Sequence, residues 1–253
     1  IKLLKFLYFC ALQYCYKTLK MVKKQAIEIV GIEEIHDFWD VLTEDQRAYL
    51  KANMTVQHFK KNELIHSEGD IPTHMMILIR GKIKIYKAGV GGRSQIVRML
   101  KPFEYFGYRA IFASRTGGFD GYNTNARAFD ACSIYMIPAD VIKRLLQQNA
   151  LLAYSFIERL SEDLGASDRR MVNLTQKHIR GRLAEALLFL KDNYGLEEDG
   201  ATINIYLARE DIANLSNMTT SNAIRTLSNF AAEMVIALDG RKIKIIDFDK
   251  LHK

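Results

Sequence analysis

The chain has 253 residues, 49% hydrophobic and 26% charged, the balance of a globular protein with room for one large or two ordinary domains. Its net charge of +7 is no nucleic-acid signature, because Lys2, Lys5, Lys17, Lys20, Lys23 and Lys24 precede every acid and the rest of the chain sets 30 basic residues against 29 acidic ones. Any DNA affinity must therefore come from the local placement of charges and hydrogen-bond donors.

The first twenty residues do not begin with Met, and Met21 follows them directly. Their apolar run is interrupted by Lys5 and is too short and basic for a membrane span. It also lacks the small-residue cleavage site of a signal peptide. Three readings compete for residues 1–20: a mis-assigned start with initiation at Met21, a basic membrane-surface helix, or an early helix of the fold. The first is preferred, so this segment is a doubtful leader left out of the fold argument. Cys10, Cys15 and Cys132 are too scattered for a zinc site and too few for a cysteine-ligated cluster.

From Ile27 to Leu50 the pattern is helical, with Val41, Leu42 and Leu50 near helical spacing. Thr43 followed by Asp45-Gln46 reads as a capping box, and Trp39 as a core anchor. From Met54 to Ile137 the chain turns to short alternating runs: TVQHF, NELIHSEGD, MMILIRGKIKIYK, SQIVRML and ARAFDACSIYMI. Such runs, separated by turns at Gly69, Gly81 and Gly89–Gly92, predict a sandwich, roll or barrel. Tyr105 to Asn125 is too long for an ordinary turn and reads as a short helix with a loop, or as a binding segment.

A short helix is expected over Ala139–Gln147 and a longer one from Asn149 to Gln176. Along the second, Ala150, Ala153, Ile157, Leu160, Leu164, Ser167, Met171 and Leu174 alternate in steps of three and four. This heptad seam favours a parallel dimer helix over one packed only on its own domain. Ser167 is its polar interruption, either a register device or a ligand contact. His178 to Asn193 is a further amphipathic helix, carrying Leu183, Leu187, Leu188 and Leu190 and ending at Tyr194-Gly195. The loop LEEDGA and a short strand TINIYL follow.

The stretch from Leu207 to Ile243 reads as helix, tight turn, helix and two-stranded wing. The first helix begins near Arg209 with Ile212 and Leu215 inward, Asn217 and Met218 turn, and Thr219 caps the second. Ala223, Ile224, Leu227 and Phe230 form the apolar face of that second helix. Thr220, Ser221, Asn222, Arg225, Ser228 and Asn229 fall elsewhere, and no acid stands among them. Short donors without carboxylates suit a helix entering the major groove, where bases are read by hydrogen bonds and phosphates repel acids. Asp239-Gly240 signals a hairpin that brings Arg241, Lys242 and Lys244 onto the wing.

In this order the elements resemble the cyclic AMP receptor protein/FNR (Crp/Fnr) family of bacterial transcription regulators. SEGDIPTHMMILIRGKIKIY, NLTQKHIRGRLAEALLFL and LAREDIANLSNMTTSNAIRTLSNF carry the resemblance, which covers about Met54 to Asp247. It implies an α+β fold: an N-terminal β-roll (a cyclic-nucleotide-binding-like jelly roll) with flanking helices over 21–148, a dimerisation helix and hinge over 149–176, and a C-terminal winged helix-turn-helix over 177–253. It implies a cytoplasmic homodimer binding double-stranded DNA at a pseudo-palindromic operator, with RNA polymerase as a further partner and no membrane contact. The dimer seam would be Ala153, Ile157, Leu160, Leu164, Met171 and Leu174. Arg209 and Thr219 would meet phosphate, Arg225 base or phosphate, and Lys242 the backbone. Thr220 and Ser221 replace the arginine–glutamate pair that reads bases in the best-known members, so Asn222 is expected to carry more of the readout. Two short hydroxyls cannot make the bidentate contact of an arginine to guanine.

The expected effector pocket departs further from the family. Phe106, Gly107 and Tyr108 occupy its Gly-Glu site, and Tyr122 and Asn123 replace its Arg-Ser pair. Arg127 matches a structural arginine, and Ser167 on the long helix is a further contact. A cyclic phosphate buried without a paired cation is costly, so cyclic AMP is not the expected ligand. A different small-molecule effector, or none, is expected. His66 and His74 lack metal-ligand spacing, the FNR cysteine set is missing, and no cofactor or metal is predicted. Arg169 and Arg170 read as solvated helix charges, the alternative being sensors of pocket occupancy. Two other functions compete: a cupin-type enzyme, for which His58, His66 and His74 do not converge, and a cyclic-nucleotide-binding module acting on a protein partner.

Overall fold

The computed structural model describes residues 31–89, 92–113 and 121–252. The doubtful leader, the start of the first helical pattern at Ile27 and the hairpin residue Gly91 lie outside the described residues.

The first helical pattern divides into a 3-10 turn, Ile32–Glu34, and two helices, α1 (His36–Trp39) and α2 (Glu44–Asn53). The division falls where Thr43 takes an extended conformation to cap α2, its hydroxyl accepting from the Gln46 amide while the Gln46 side chain accepts from the Thr43 amide. Trp39 is buried, with Lys51 and Arg47 over its ring.

Eight strands follow: β1 (Thr55–Phe59), β2 (Leu64–His66), β3 (His74–Arg80), β4 (Ile83–Ala88), β5 (Ser94–Leu100), β6 (Tyr105–Phe106), β7 (Asn125–Ala128) and β8 (Cys132–Pro138). A helix, α3 (Tyr108–Ala113), sits between β6 and β7 within the aperiodic stretch from Tyr105 to Asn125, of which residues 114–120 lie outside the described residues. The strands form two antiparallel four-stranded sheets, ordered β1-β8-β3-β6 and β2-β7-β4-β5. β3 is buried on both faces. Met76 and Leu78 point between the sheets, while Met75 and Ile77 point to a second core with Phe38, Leu50 and Leu145 of the helices. That double coverage explains a run of four consecutive buried residues where a half-exposed strand would alternate.

Beyond the roll come α4 (Ala139–Gln148) and α5 (Ala150–Gln176). Asn149 caps α5 by accepting from the Leu152 amide at 3.0 Å and donates to the Val41 carbonyl at 2.8 Å, so one side chain sets both the start of the helix and its seat on the roll. Leu152 and Phe156 are buried in the roll's helical core. The seam lies on another face. Ile157, Leu160, Leu164 and Met171 are exposed, Leu164 by 64%, and Ala153 and Leu174 are half-buried. Packing on its own domain and the heptad seam thus occupy different faces of one helix.

The C-terminal unit contains α6 (Ile179–Tyr194), α7 (Arg209–Leu215), α8 (Thr220–Ala232), β9 (Ile236–Asp239), β10 (Lys242–Ile245) and α9 (Phe248–His252). Between Thr202 and Leu207 the expected strand reduces to isolated bridges, Leu196 with Ile203 and Thr202 with Lys244. The C-terminal core of Leu187, Ile212, Leu227, Phe230 and Ile243 also takes in Ile96 and Met99 of β5. The roll and the C-terminal unit therefore share apolar packing.

Candidate nucleic-acid interface

In the C-terminal unit, α7 and α8 meet through Asn217, whose φ of 50° makes the sharp turn, and Met218, which is buried. The Thr219 hydroxyl accepts from the Asn222 amide at 3.2 Å and so begins α8. Ala223, Leu227 and Phe230 face the core as expected, but Ile224 does not: it is 47% exposed. Thr226 takes the buried place, because α8 beds on α6 and α7 along a stripe rotated toward residues 223, 226, 227 and 230. Ile224 instead joins an outward face with Thr220, Ser221, Arg225, Ser228 and Asn229. On that face Arg225 donates to Asn222 Oδ1 at 3.0 Å. The helix start is free of acids, which leaves its exposed amides and their partial positive charge available to an anion.

The wing turns at Gly240 and Arg241, with Asp239 paired to Lys242. The turn thus lies one residue later than Asp239-Gly240, at the glycine that adopts a φ of 54°. Arg209, half-buried at the start of α7, donates to the Gly240 carbonyl at 2.7 Å, and its other terminal nitrogen is buried without a partner. Burial lowers its pKa, and its contact ties helix to wing. Lys242 lies 3.3 Å from both Glu197 oxygens and Lys244 3.3 Å from Asp199. Both lysines are about half exposed and held by acids of the preceding loop, pairings that sequence spacing does not reveal.

In the roll, Phe106, Gly107, Tyr108 and Tyr122 come together, but as packed protein rather than as an open pocket. Tyr122 stacks on His66 with ring centroids 3.8 Å apart, and Phe106 lies 6.4 Å from the same imidazole. Burial lowers the His66 pKa to about 4 and pushes the Tyr122 hydroxyl to about 12, Asp70 adding to the latter. Gly107 has φ 81°, and a Cβ there would stand 2.8 Å from Met76 Cε. The Tyr108 hydroxyl turns away from the stack and donates to Asp163 of α5. Burial would raise the Asp163 carboxyl, yet Arg98, Tyr108 and Arg109 hold it below the usual carboxylate range. Asn123 is exposed, its carbonyl accepting from Lys87. Arg127 donates to the Asn62 carbonyl and the Tyr86 hydroxyl, which makes it a brace between the β1–β2 turn and β4. Ser167 is not part of this group; it lines a cavity between β5, α5 and α6.

Arg170 corrects the reading of a solvated helix charge. Its guanidinium donates to the carbonyls of Val97 at 2.9 Å, Ile96 at 2.6 Å and Leu215 at 3.0 Å. It thereby joins α5 to the roll and to the end of α7. Lys84 on β4 completes the junction with Asp211 of α7 at 2.6 Å, both side chains largely buried. Neither contact carries a local signal, since the partners are 45 and 127 residues apart.

Comparison with known proteins agrees with this architecture at both ends of the chain. The sequence model of the cyclic nucleotide-binding domain matches residues 56–149, and that of the Crp-like helix-turn-helix domain matches residues 181–253. The chain belongs to the Crp/Fnr family. It is 24% identical over 209 residues to the CRP-like cAMP-activated global transcriptional regulator of Mycobacterium tuberculosis, covering 81% of this chain and 90% of that protein. The global nitrogen regulator of Synechococcus elongatus is 22% identical, with 78% and 88% covered. Among solved structures, FixK2 of Bradyrhizobium japonicum superposes with a TM-score of 0.69 at 20% identity over 79% of this chain and 96% of its own. A putative crp/fnr-family regulator of Eubacterium rectale gives the same score at 21% identity over 85% and 95%. As a Crp/Fnr protein the chain is a DNA-binding transcription regulator rather than an enzyme. Among the described residues no helix is long and apolar enough to cross a membrane.

Proposed function

We propose that the chain acts as a homodimer on a pseudo-palindromic operator, its units being the roll over 21–148, the seam helix and hinge over 149–176 and the DNA-binding unit over 177–253. The exposed seam of α5 carries this reading: Ile157, Leu160, Leu164 and Met171 repeat at heptad spacing and are open to solvent. An apolar stripe of that length on a helix otherwise well packed is what a partner helix covers. Two copies joined along it would set two α8 helices on one face of DNA, roughly 34 Å apart. Thr220, Ser221 and Asn222 face the bases, Arg225 a base or phosphate, and Arg209, Thr219 and Lys242 the backbone.

The regulator's roll answers to a small molecule other than cyclic AMP, or to none. In the roll, the Tyr122–His66 stack and Tyr108 stand where the family holds ribose and cyclic phosphate, and among the described residues the nearby cations are already paired, Arg98 and Arg109 with Asp163 and Lys87 with Glu68. Action on a protein partner alone is the weaker reading, because it leaves the acid-free face of α8 without a use.

An electrophoretic shift on DNA from the protein's own promoter region tests the reading. Arg225→Ala should weaken binding by roughly tenfold or more, the value of one good side-chain contact to a base. Its dimer should survive in sedimentation. Unchanged affinity would remove Arg225 from the interface, and a monomer in wild-type sedimentation would remove the dimer.

A further inference from the structure

A cavity of about 630 Å³ lies between β5, the second half of α5 and α6, a volume typical of small-molecule sites. Its walls hold more guanidinium groups than nearby carboxylates neutralise. Asp163 is taken by Arg98 at 3.2 Å and Arg109 at 2.8 Å, and Glu185 by Lys177. Asp192 pairs with Lys191 at 2.9 Å; Glu104 accepts only from the Lys101 backbone amide at 3.2 Å and is the one wall carboxylate without a cationic partner among the described residues. Arg169, Arg170 and Arg182 have no carboxylate partner among the described residues. Arg170 donates only to backbone carbonyls. Arg182 reaches the Leu174 carbonyl at 3.4 Å, and its Nε is buried without a partner. Arg170 and Arg182 are partly withdrawn from water without a counter-charge, which is costly, whereas Arg169 is exposed to solvent; an anion in the cavity would relieve that cost.

We propose that this cavity binds a small organic anion with at least two phosphate or carboxylate groups, held by Arg169, Arg170 and Arg182 with Ser167 as a further donor. Planar guanidinium forks match both kinds of group bidentately. The site is separate from the aromatic stack of the roll. Its regulatory consequence rests on the function proposed above. Arg170 lines the cavity and also holds the Leu215 carbonyl at the end of α7, so an anion drawing Arg170 inward loosens the helix that precedes the reading turn. A ligand shifts that equilibrium only through such a difference between the two arrangements.

Calorimetric titration of the full chain with inorganic pyrophosphate and with citrate, glycerol serving as neutral control, tests the site without DNA. At least one anion should bind saturably with a dissociation constant below about 1 mM. Which of the two binds separates phosphate from carboxylate recognition. The pair of substitutions Arg169→Gln and Arg182→Gln should weaken binding by about tenfold or more, as expected for lost charge-assisted contacts. Arg144→Gln, whose guanidinium lies over Tyr49 far from the cavity, should leave it unchanged. Thermal melts confirm that each variant is folded. Absence of saturable binding, or equal loss in the Arg144→Gln control, overturns the site. Operator affinity measured with and without saturating probe tests the coupling: a change supports it and equality overturns it. Failure to bind DNA without any probe counts against the proposed function and leaves the calorimetric result standing.

Discussion

Arg225 is engaged before any DNA arrives: its guanidinium donates to Asn222 Oδ1. The pair sits on the solvent face of α8, where an amide that accepts from arginine keeps its own N–H groups free for a base. Asn222→Ala should therefore act twice, removing one reader and releasing the other. The expected outcome is relaxed discrimination among operator variants with a smaller loss of total affinity, measured by competition binding. Equal losses on every sequence would make Asn222 a placement residue. His66 offers a second test at this scale. Its folded pKa of about 4 lies below the ordinary 6.5, because burial against Tyr122 disfavours the cation. The unfolded chain then binds the proton first as pH falls, so stability is full above about pH 6.5 and is lost toward pH 4 by up to about 3 kcal/mol. Urea unfolding of wild type and His66→Phe should diverge across that window, the variant losing less. Parallel curves would mean that His66 is not buried neutral.

Helices and turns were legible where the signal is local. Thr43 and Thr219 cap the helices their sequence contexts announce, since a capping side chain and its amide lie within three residues. The exposed apolar stripe along α5 follows from the spacing of its residues for the same reason. What sequence spacing missed is long-range: the bedding of Thr226 instead of Ile224, the stack of Tyr122 on His66, and the burial of Arg170. In each case the deciding partner is on another element, and periodicity carries no information about it. The seam also makes a prediction at this scale. Burying Leu164 in a dimer is worth about 2–3 kcal/mol, and placing a carboxylate there costs more. Leu164→Glu should weaken self-association by roughly a hundredfold in sedimentation equilibrium. Circular dichroism should be retained, because the Leu152–Phe156 face is untouched. Wild-type association in the variant would move the dimer contact elsewhere.

Across the whole molecule, the roll and the DNA-binding unit are coupled by more than a hinge. Ile96 and Met99 of β5 are buried in the same cluster as Leu187, Ile212 and Phe230. Lys84–Asp211 and Arg170–Leu215 span the same seam with polar contacts that are expensive to leave half-made. An interface with an apolar centre and a paired polar rim should unfold with its domains rather than separate first. The chain is thus expected to melt in one transition by differential scanning calorimetry. Ile96→Ala would remove side-chain volume from the shared cluster at a cost of about 2–4 kcal/mol. Because that loss falls at the junction, it should split the melt into a roll transition and an earlier one for the DNA-binding unit. Arg225→Ala, on the exposed face of α8, should leave the melt single. Two transitions in the wild-type chain would show that the shared cluster does not couple the units, and control of the reading head would then have to pass through α5 alone.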